Sequence, residues 1–238
     1  MDISSIANLY RSQQMLQTSS VIQTDPVQKA FANAAARLEN QRQTISVQVS
    51  AYGQVKAGFA RVEDAGKTLA AAKPTTQAAD IKNGLQALVG AYNDARGAAA
   101  NTAPGSARSA ANDLRRIVST DSGRADLRAL GITLQQDGSL ALDTKALDKA
   151  LQSNLDSVRA AAGRVGGQLQ QTASRALTNN GSIGSTLNTI NARAQGIEAR
   201  QTEQQSLASA SQQTVQLQSE RMSSSLYGID SYLRIFSL

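Results

Sequence analysis

Residues 131–143 read Gly131-Ile-Thr-Leu-Gln-Gln-Asp-Gly-Ser-Leu-Ala-Leu-Asp143, a stretch with a period of two inside a chain whose other apolar residues recur every three or four. Ile132 and Leu134 alternate with polar residues, Leu140 and Leu142 do the same, and Asp137-Gly138 stands between the two runs. That pattern predicts a β-hairpin. A two-residue Asp-Gly loop would pair Leu134 with Ala141 and set the two leucine rows on opposite faces. A three-residue loop, Gln136-Asp137-Gly138, pairs Leu134 with Leu140 and Ile132 with Leu142, so all four share one buried face. The second register is the one predicted, with a type I turn and Gly138 in the left-handed position of a G1 bulge. The hairpin core is then Ile132, Leu134, Leu140 and Leu142.

On either side the period becomes helical. Asp143 is an N-cap for a helix through Leu147, Leu151, Leu155 and Val158, which Gly163, Gly166 and Gly167 interrupt. A further helix carries Leu169, Ala173 and Leu177, and Asn179-Asn180-Gly181 breaks the chain again. Upstream, Asp121-Ser-Gly123 reads as a turn after a short helix over Ser109 to Val118. Before that lies a helix with Ile81, Leu85, Leu88, Tyr92 and Ala95, capped by Asp80 and closed by the turn residues Asn101 to Ser106. Lys73 to Asp80 is a short breaker in which Pro74 disfavours helix in the residue before it. A heptad stripe runs through Phe31, Ala35, Leu38, Arg42, Ile45, Val49, Tyr52, Lys56 and Phe59, then Val62, Ala65 and Leu69; Arg42 and Lys56 interrupt it. Pro26 closes a first segment with Ile3, Ile6 and Leu9 at helical spacing.

The last proline-free stretch starts at Ile183 and repeats through Leu187, Ile190, Ala194 and Ile197. It continues through the weak positions Gln201, Gln204, Ala208 and Ser211 to Val215 and Met222. A four-and-four shift then reaches Leu226, followed by Ile229, Leu233 and Phe236; such a stutter locally unwinds a supercoil. The reading is a mainly α fold, a long-helix coiled-coil bundle with one small β-hairpin at 131–143. It divides into an N-terminal assembly segment (1–26), a helical region holding the hairpin (27–182) and a long C-terminal coiled-coil helix (183–238).

Composition removes several kinds of chemistry. The chain has no Cys and no His, so zinc sites, Cys nucleophiles, His-based triads and disulfide frameworks lose their usual groups. Asp137, Asp143 and Asp148 could be imagined as a carboxylate cluster, but they fit a turn, a cap and a helix surface, and no nucleophile–base pair stands near them. No catalytic role, cofactor or metal is expected. The formal charge of +6 is spread along the chain, Arg115-Arg116 being its longest local cluster, and aromatics are scarce, so a nucleic-acid partner is not expected. The N-terminus lacks a basic run followed by an apolar one, and no window reaches a membrane span, so neither a cleaved signal nor a membrane partner is expected.

Several stretches then fall into a known order: Leu85-Gln-Ala-Leu-Val-Gly-Ala-Tyr-Asn-Asp94, Leu130-Gly-Ile132, Asp137-Gly-Ser-Leu-Ala-Leu-Asp143 with Leu147 and Leu151, Asn180-Gly-Ser-Ile-Gly-Ser185, and the Gln-rich C-terminal helix. Together they resemble the bacterial flagellar filament-cap family, the hook-associated protein 2 or FliD-type proteins, over roughly 27–72 and 80–238. Ile45 to Leu69 is similar to the helix that ends the family's N-terminal part. Two features depart from the family. The chain opens MDISSIANLY in place of a Gly-Ser-Gly-Leu-Asp stretch, and Leu69 to Ile81 holds only a short linker where the family carries large β-rich domains.

The resemblance implies a non-enzymatic structural protein of the flagellum, exported by the flagellar type III route and located outside the cell. It implies a homo-oligomeric ring that caps the distal filament end and promotes flagellin assembly. Partners would be flagellin, the hook–filament junction proteins and an export chaperone. Self-association would rest on Ile3, Ile6 and Leu9 at one end and Met222, Leu226, Ile229, Leu233 and Phe236 at the other. A flagellin-like or hook–filament junction protein, or a plain coiled-coil adaptor, remains the alternative.

Overall fold

A computed structural model describes the backbone of residues 3–236 and the side chains of residues 28–221. The elements are α1 (Ile3–Ala70), α2 (Ala78–Ala100), α3 (Ser106–Ser119), α4 (Asp121–Ala129), β1 (Ile132–Leu134), β2 (Leu140–Leu142), α5 (Thr144–Ser153), α6 (Leu155–Leu177) and α7 (Ser182–Phe236). The fold is mainly α, with one small antiparallel two-stranded sheet. Two compact units divide the chain. Unit 1 comprises 1–44 and 194–238, unit 2 comprises 45–193, and α1 and α7 contribute to both.

In unit 1 the two long helices run antiparallel. Phe31 and Ala35 of α1 meet Gln204, Gln205 and Ala208 of α7, while Glu39 meets Gln201 further along. Leu38 and Ile197 are the most deeply buried apolar side chains of this seam. Ala194, Gln201, Gln204, Ala208 and Ser211 are half-buried, which is the predicted heptad phase of α7.

Unit 2 holds the main core, built from Phe59, Leu69, Ile81, Leu85, Leu88, Tyr92, Leu114, Leu127, Leu130, Ile132, Leu147 and Leu169. Small residues let its helices approach closely. A Cβ on Gly66 of α1 would lie 2.5 Å from the Gly166 carbonyl oxygen of α6, and one on Gly58 would lie 2.7 Å from the Ala95 Cα of α2. The Ala-rich composition thus serves thin, close helix packing: Ala95, Ala99, Ala107, Ala162 and Ala173 are all fully covered. A chain of hydroxyls links α1, α3 and α7, with Tyr52 Oη 3.1 Å from Ser106 Oγ and Ser106 Oγ 2.7 Å from Thr186 Oγ1.

Several boundaries differ from the sequence reading. α1 does not stop at Pro26 but continues as one helix of 68 residues. The φ of proline is already helical, so a long helix loses one backbone bond there and carries on. Asp121-Ser-Gly123 is not a turn but the first turn of α4, where Thr120 is the N-cap and its Oγ1 accepts from Gly123 N at 3.0 Å. A Cβ at Gly123 would fall 2.2 Å from the Ile117 carbonyl oxygen, so this glycine permits two consecutive helices with one residue between them.

Gly163, Gly166 and Gly167 do not interrupt their helix, because Gly166 lies at the crossing with α1. The break falls at Asn154, whose Oδ1 caps α6 by accepting from Ser157 N at 3.0 Å. The N-cap of α2 is Gln77, and Asp80 sits in the first turn, where its charge complements the helix dipole. The stripe on α1 also shifts by one residue: Val55 is buried and Lys56 exposed, and Ala34 is more covered than Ala35. Neither Arg42 nor Lys56 therefore enters the seam; both are exposed.

Candidate assembly surfaces

The hairpin is positioned by α2. β1 and β2 pair in the register Ile132 with Leu142, Thr133 with Ala141 and Leu134 with Leu140. The loop closes through Gln135 N donating to Ser139 O at 2.8 Å and Gly138 N donating to Gln135 O at 2.9 Å. Gly138 has φ 83, the left-handed conformation that the bulge requires. Ile132 and Leu140 are buried, and Leu134 and Leu142 are partly buried against the same core.

In this register Leu140 occupies a non-hydrogen-bonded position of the ladder, so its N–H and C=O point away from β1. Asn93 of α2 meets both. Its Nδ2 donates to Leu140 O at 2.8 Å, and its Oδ1 accepts from Leu140 N at 2.9 Å. One side-chain amide thereby stands in for a neighbouring strand. The adjacent Tyr92 donates its hydroxyl to Gly138 O at 3.3 Å, and burial pushes its phenol pKa above the ordinary tyrosine value. The Tyr-Asn pair and the Asp-Gly-Ser-Leu loop are thus two halves of one clamp.

The three aspartates have structural partners. Asp137 Oδ1 accepts from the Ser139 hydroxyl at 2.7 Å and from its amide at 2.9 Å. Those bonds, the hydroxyl first, hold its carboxyl below the usual carboxylate range, and Arg96 lies 3.7 Å away. Asp143 caps α5 by accepting from Lys145 N and Ala146 N, both at 3.0 Å. Asp148 receives Lys82 Nζ at 2.6 Å, joining α5 to α2. Among the described residues no group of three metal-ligating side chains is found, and no helix is long and apolar enough to cross a membrane.

Within unit 1 the seam is shallow and amide-rich. A trough of about 270 Å³ is lined by Phe31, Ala32, Ala35, Gln201, Gln204, Gln205 and Ala208. Beside it Arg42 grips Glu39 in a bidentate pair at 2.7 and 2.9 Å. The guanidinium holds the Glu39 carboxyl below its usual range, and Gln43 adds a bond at 3.3 Å from the next turn of α1. Leu207, Val215 and Leu217 stand exposed on α7, so Val215 does not join the stripe in which its spacing puts it. The backbones of Ile3, Ile6, Leu9, Met222, Leu226, Ile229, Leu233 and Phe236 belong to α1 and α7, but their side chains lie outside the described residues.

Sequence reading missed one cluster, because its members are separated in the chain. Arg115 of α3 and Arg124 and Arg128 of α4 converge on a groove along β1. The only advance signal was the spacing of Arg124 and Arg128, which puts them on one helix face.

The sequence model of the family described as flagellar hook-associated protein 2 C-terminus matches residues 97–229. No curated protein and no solved structure matches the chain. The match begins near the end of α2, takes in the whole hairpin, and reaches into the last turns of α7. Over more than half of its length, then, the order of hairpin, helices and long terminal helix is that of one family: the chain belongs to the flagellar hook-associated protein 2 proteins, structural components of the flagellum.

Proposed function

We propose that the protein caps the distal end of the flagellar filament as a self-associated ring and promotes the assembly of flagellin, without catalysis. The observation that carries this reading is the family match over 97–229, which spans both the hairpin and most of the long C-terminal helix. The terminal residues Ile3, Ile6, Leu9, Met222, Leu226, Ile229, Leu233 and Phe236 are the proposed contacts between copies. Their apolar stripes gain a partner face when neighbouring subunits assemble, so ordering is coupled to assembly.

Small shifts of the ring open one site at a time for an incoming flagellin. Such binding must be repeatedly remade, which suits the shallow Ala, Gln and Ser seam better than deep aromatic anchors. Export by the type III route, an export chaperone, contact with junction proteins and a place outside the cell complete the reading.

Electron microscopy of the purified protein tests it. Rings or stacked ring pairs are expected, and dimeric rods alone would overturn it. Deletion of 222–238 is expected to leave a folded subunit that no longer assembles, read by sedimentation. A second reading, a junction or accessory protein, is favoured by the connection between α1 and α2. Only 71–77 lie there, where the cap proteins this chain resembles carry their β-rich outer domains.

A further inference from the structure

The groove along β1 has three properties that belong together. First, its arginines are uncommitted. Among the described residues Arg115, Arg124 and Arg128 make no ion pair or side-chain hydrogen bond, whereas Arg61, Arg96, Arg159 and Arg164 each face a carboxylate. Two nearby carboxylates are already taken, Asp113 by Arg116 and Asp126 by Arg164. Second, the groove, about 470 Å³ in volume, rests on the buried Leu127 and Ile132 and offers the part-exposed Leu134 as its accessible apolar surface beside the cationic rim.

Third, one wall is the outer edge of β1, which is buried at Ile132 and open at Leu134. β1 has β2 as its single partner in the sheet. Gly131 and Gln135 direct their backbone bonds at β2, so by the alternation of an antiparallel ladder Ile132 and Leu134 direct theirs the other way. Among the described residues no donor or acceptor meets the outward N–H and C=O of Leu134.

We propose that this groove is a docking site for an extended acidic segment of another polypeptide, whose backbone pairs with the open edge of β1 at Leu134 while its carboxylates pair with Arg115, Arg124 and Arg128. Pairing of this kind supplies main-chain bonds, and alternate side chains of the incoming segment fall toward Leu134 and toward the rim. Guanidinium groups favour carboxylates because two parallel N–H donors match the two oxygens. A polynucleotide fits less well: no aromatic side chain lines the groove to stack on bases, and a backbone edge is complementary to another peptide backbone. The site does not depend on the capping reading, since a junction or accessory protein would carry it equally.

The test uses the full chain and a fluorescent peptide of about seven alternating glutamates and valines, compared with its glutamine counterpart. Anisotropy is expected to show binding of the acidic peptide that weakens as salt rises, with little binding of the neutral one. The double variant R124Q/R128Q, at two exposed positions, is expected to keep the wild-type melting temperature and lose about tenfold or more in affinity. Hydrogen exchange supplies a second readout, because the Leu134 amide should exchange freely in the free protein and slow when the peptide is bound. Equal binding of the neutral peptide, an unchanged Leu134 amide, or equally tight binding of oligothymidylate would each overturn the proposal. So would a double variant that binds as before yet self-associates, which would make the arginines guards of an exposed edge.

Discussion

Asn93 bears a structural role out of proportion to its size. Its amide satisfies both backbone groups that β2 would otherwise leave facing α2 without partners, at a part-buried position. Asn93→Ala should therefore destabilise the protein by about 1–3 kcal/mol, the range expected when buried backbone groups lose their partners, read as a lower urea midpoint. Asn93→Asp keeps an acceptor for Leu140 N but loses the donor to Leu140 O, so it should not restore the wild-type midpoint. The neighbouring Tyr92 adds a pH signature. Its folded pKa is raised by burial, so its contribution is fully present below the unfolded value of about 10 and is lost as the pH rises through the folded value. The sign is opposite for Asp137, whose folded pKa is lowered by Ser139: its contribution is present above the ordinary carboxylate range and fades as acid is added. Tyr92→Phe should cost about 1 kcal/mol at neutral pH through the lost bond to Gly138. In melts run from neutral to strongly alkaline pH, the difference between wild type and variant should shrink or reverse above pH of about 10.

Between helices, the glycines sort into two kinds that sequence alone does not separate. Gly66 and Gly166 face each other where α1 crosses α6, and a methyl on either would press into backbone 2.5 to 2.9 Å away. Gly53, Gly90, Gly97 and Gly196 have nothing within 4 Å of an added Cβ. Gly66→Ala should cost about 1–3 kcal/mol through forced separation of the helices, while Gly90→Ala should gain about 0.5–1 kcal/mol by stiffening the unfolded chain. Opposite shifts in melting temperature are the check; equal shifts would remove the close crossing from the account. The same contrast explains what could be read in advance. The hairpin register was legible because a slip of one residue would move a row of leucines to the wrong face, and the α7 heptad because its phase persists through Gln and Ser. Gly163, Gly166 and Gly167 were misread because a glycine at a helix crossing and one that ends a helix look alike until the neighbour is placed. Asp121-Ser-Gly123 was misread because α4 has only 9 residues and is held by packing, not by propensity. The arginine groove was invisible for a related reason: Arg115, Arg124 and Arg128 meet only after α3 and α4 fold back against β1.

For the molecule as a whole, the contrast lies between the kinds of contact that hold each unit. Unit 2 buries Phe59, Leu85, Tyr92, Leu114 and Leu169 almost completely, whereas unit 1 offers Leu38 and Ile197 and then amides, alanine and serine at the seam. Apolar burial is the main favourable contribution, at about 25 cal/mol per Å², so the two units should differ in local stability even though continuous helices serve both. Hydrogen exchange of the free subunit should find amides in 28–44 and 194–221 opening well before those of α2 and α6. Replacing both Gln201 and Gln204 with Leu should strengthen the seam, by about 1 kcal/mol for each half-buried side chain, and slow exchange in the same two segments. Unit 2 would be left unchanged. This substitution also separates two reasons for a polar seam. If the amides are there so that the helix pair can remain loose until neighbours cover it, the leucine variant should be more stable as a subunit but slower to form, or to exchange copies within, the proposed ring. If they merely reflect tolerance at an exposed helix pair, assembly kinetics followed by light scattering should match the wild type while the exchange data still shift. Wild-type protection in 28–44 and 194–221 should then be the same before and after assembly, and ordering coupled to assembly would have no place in how this protein works.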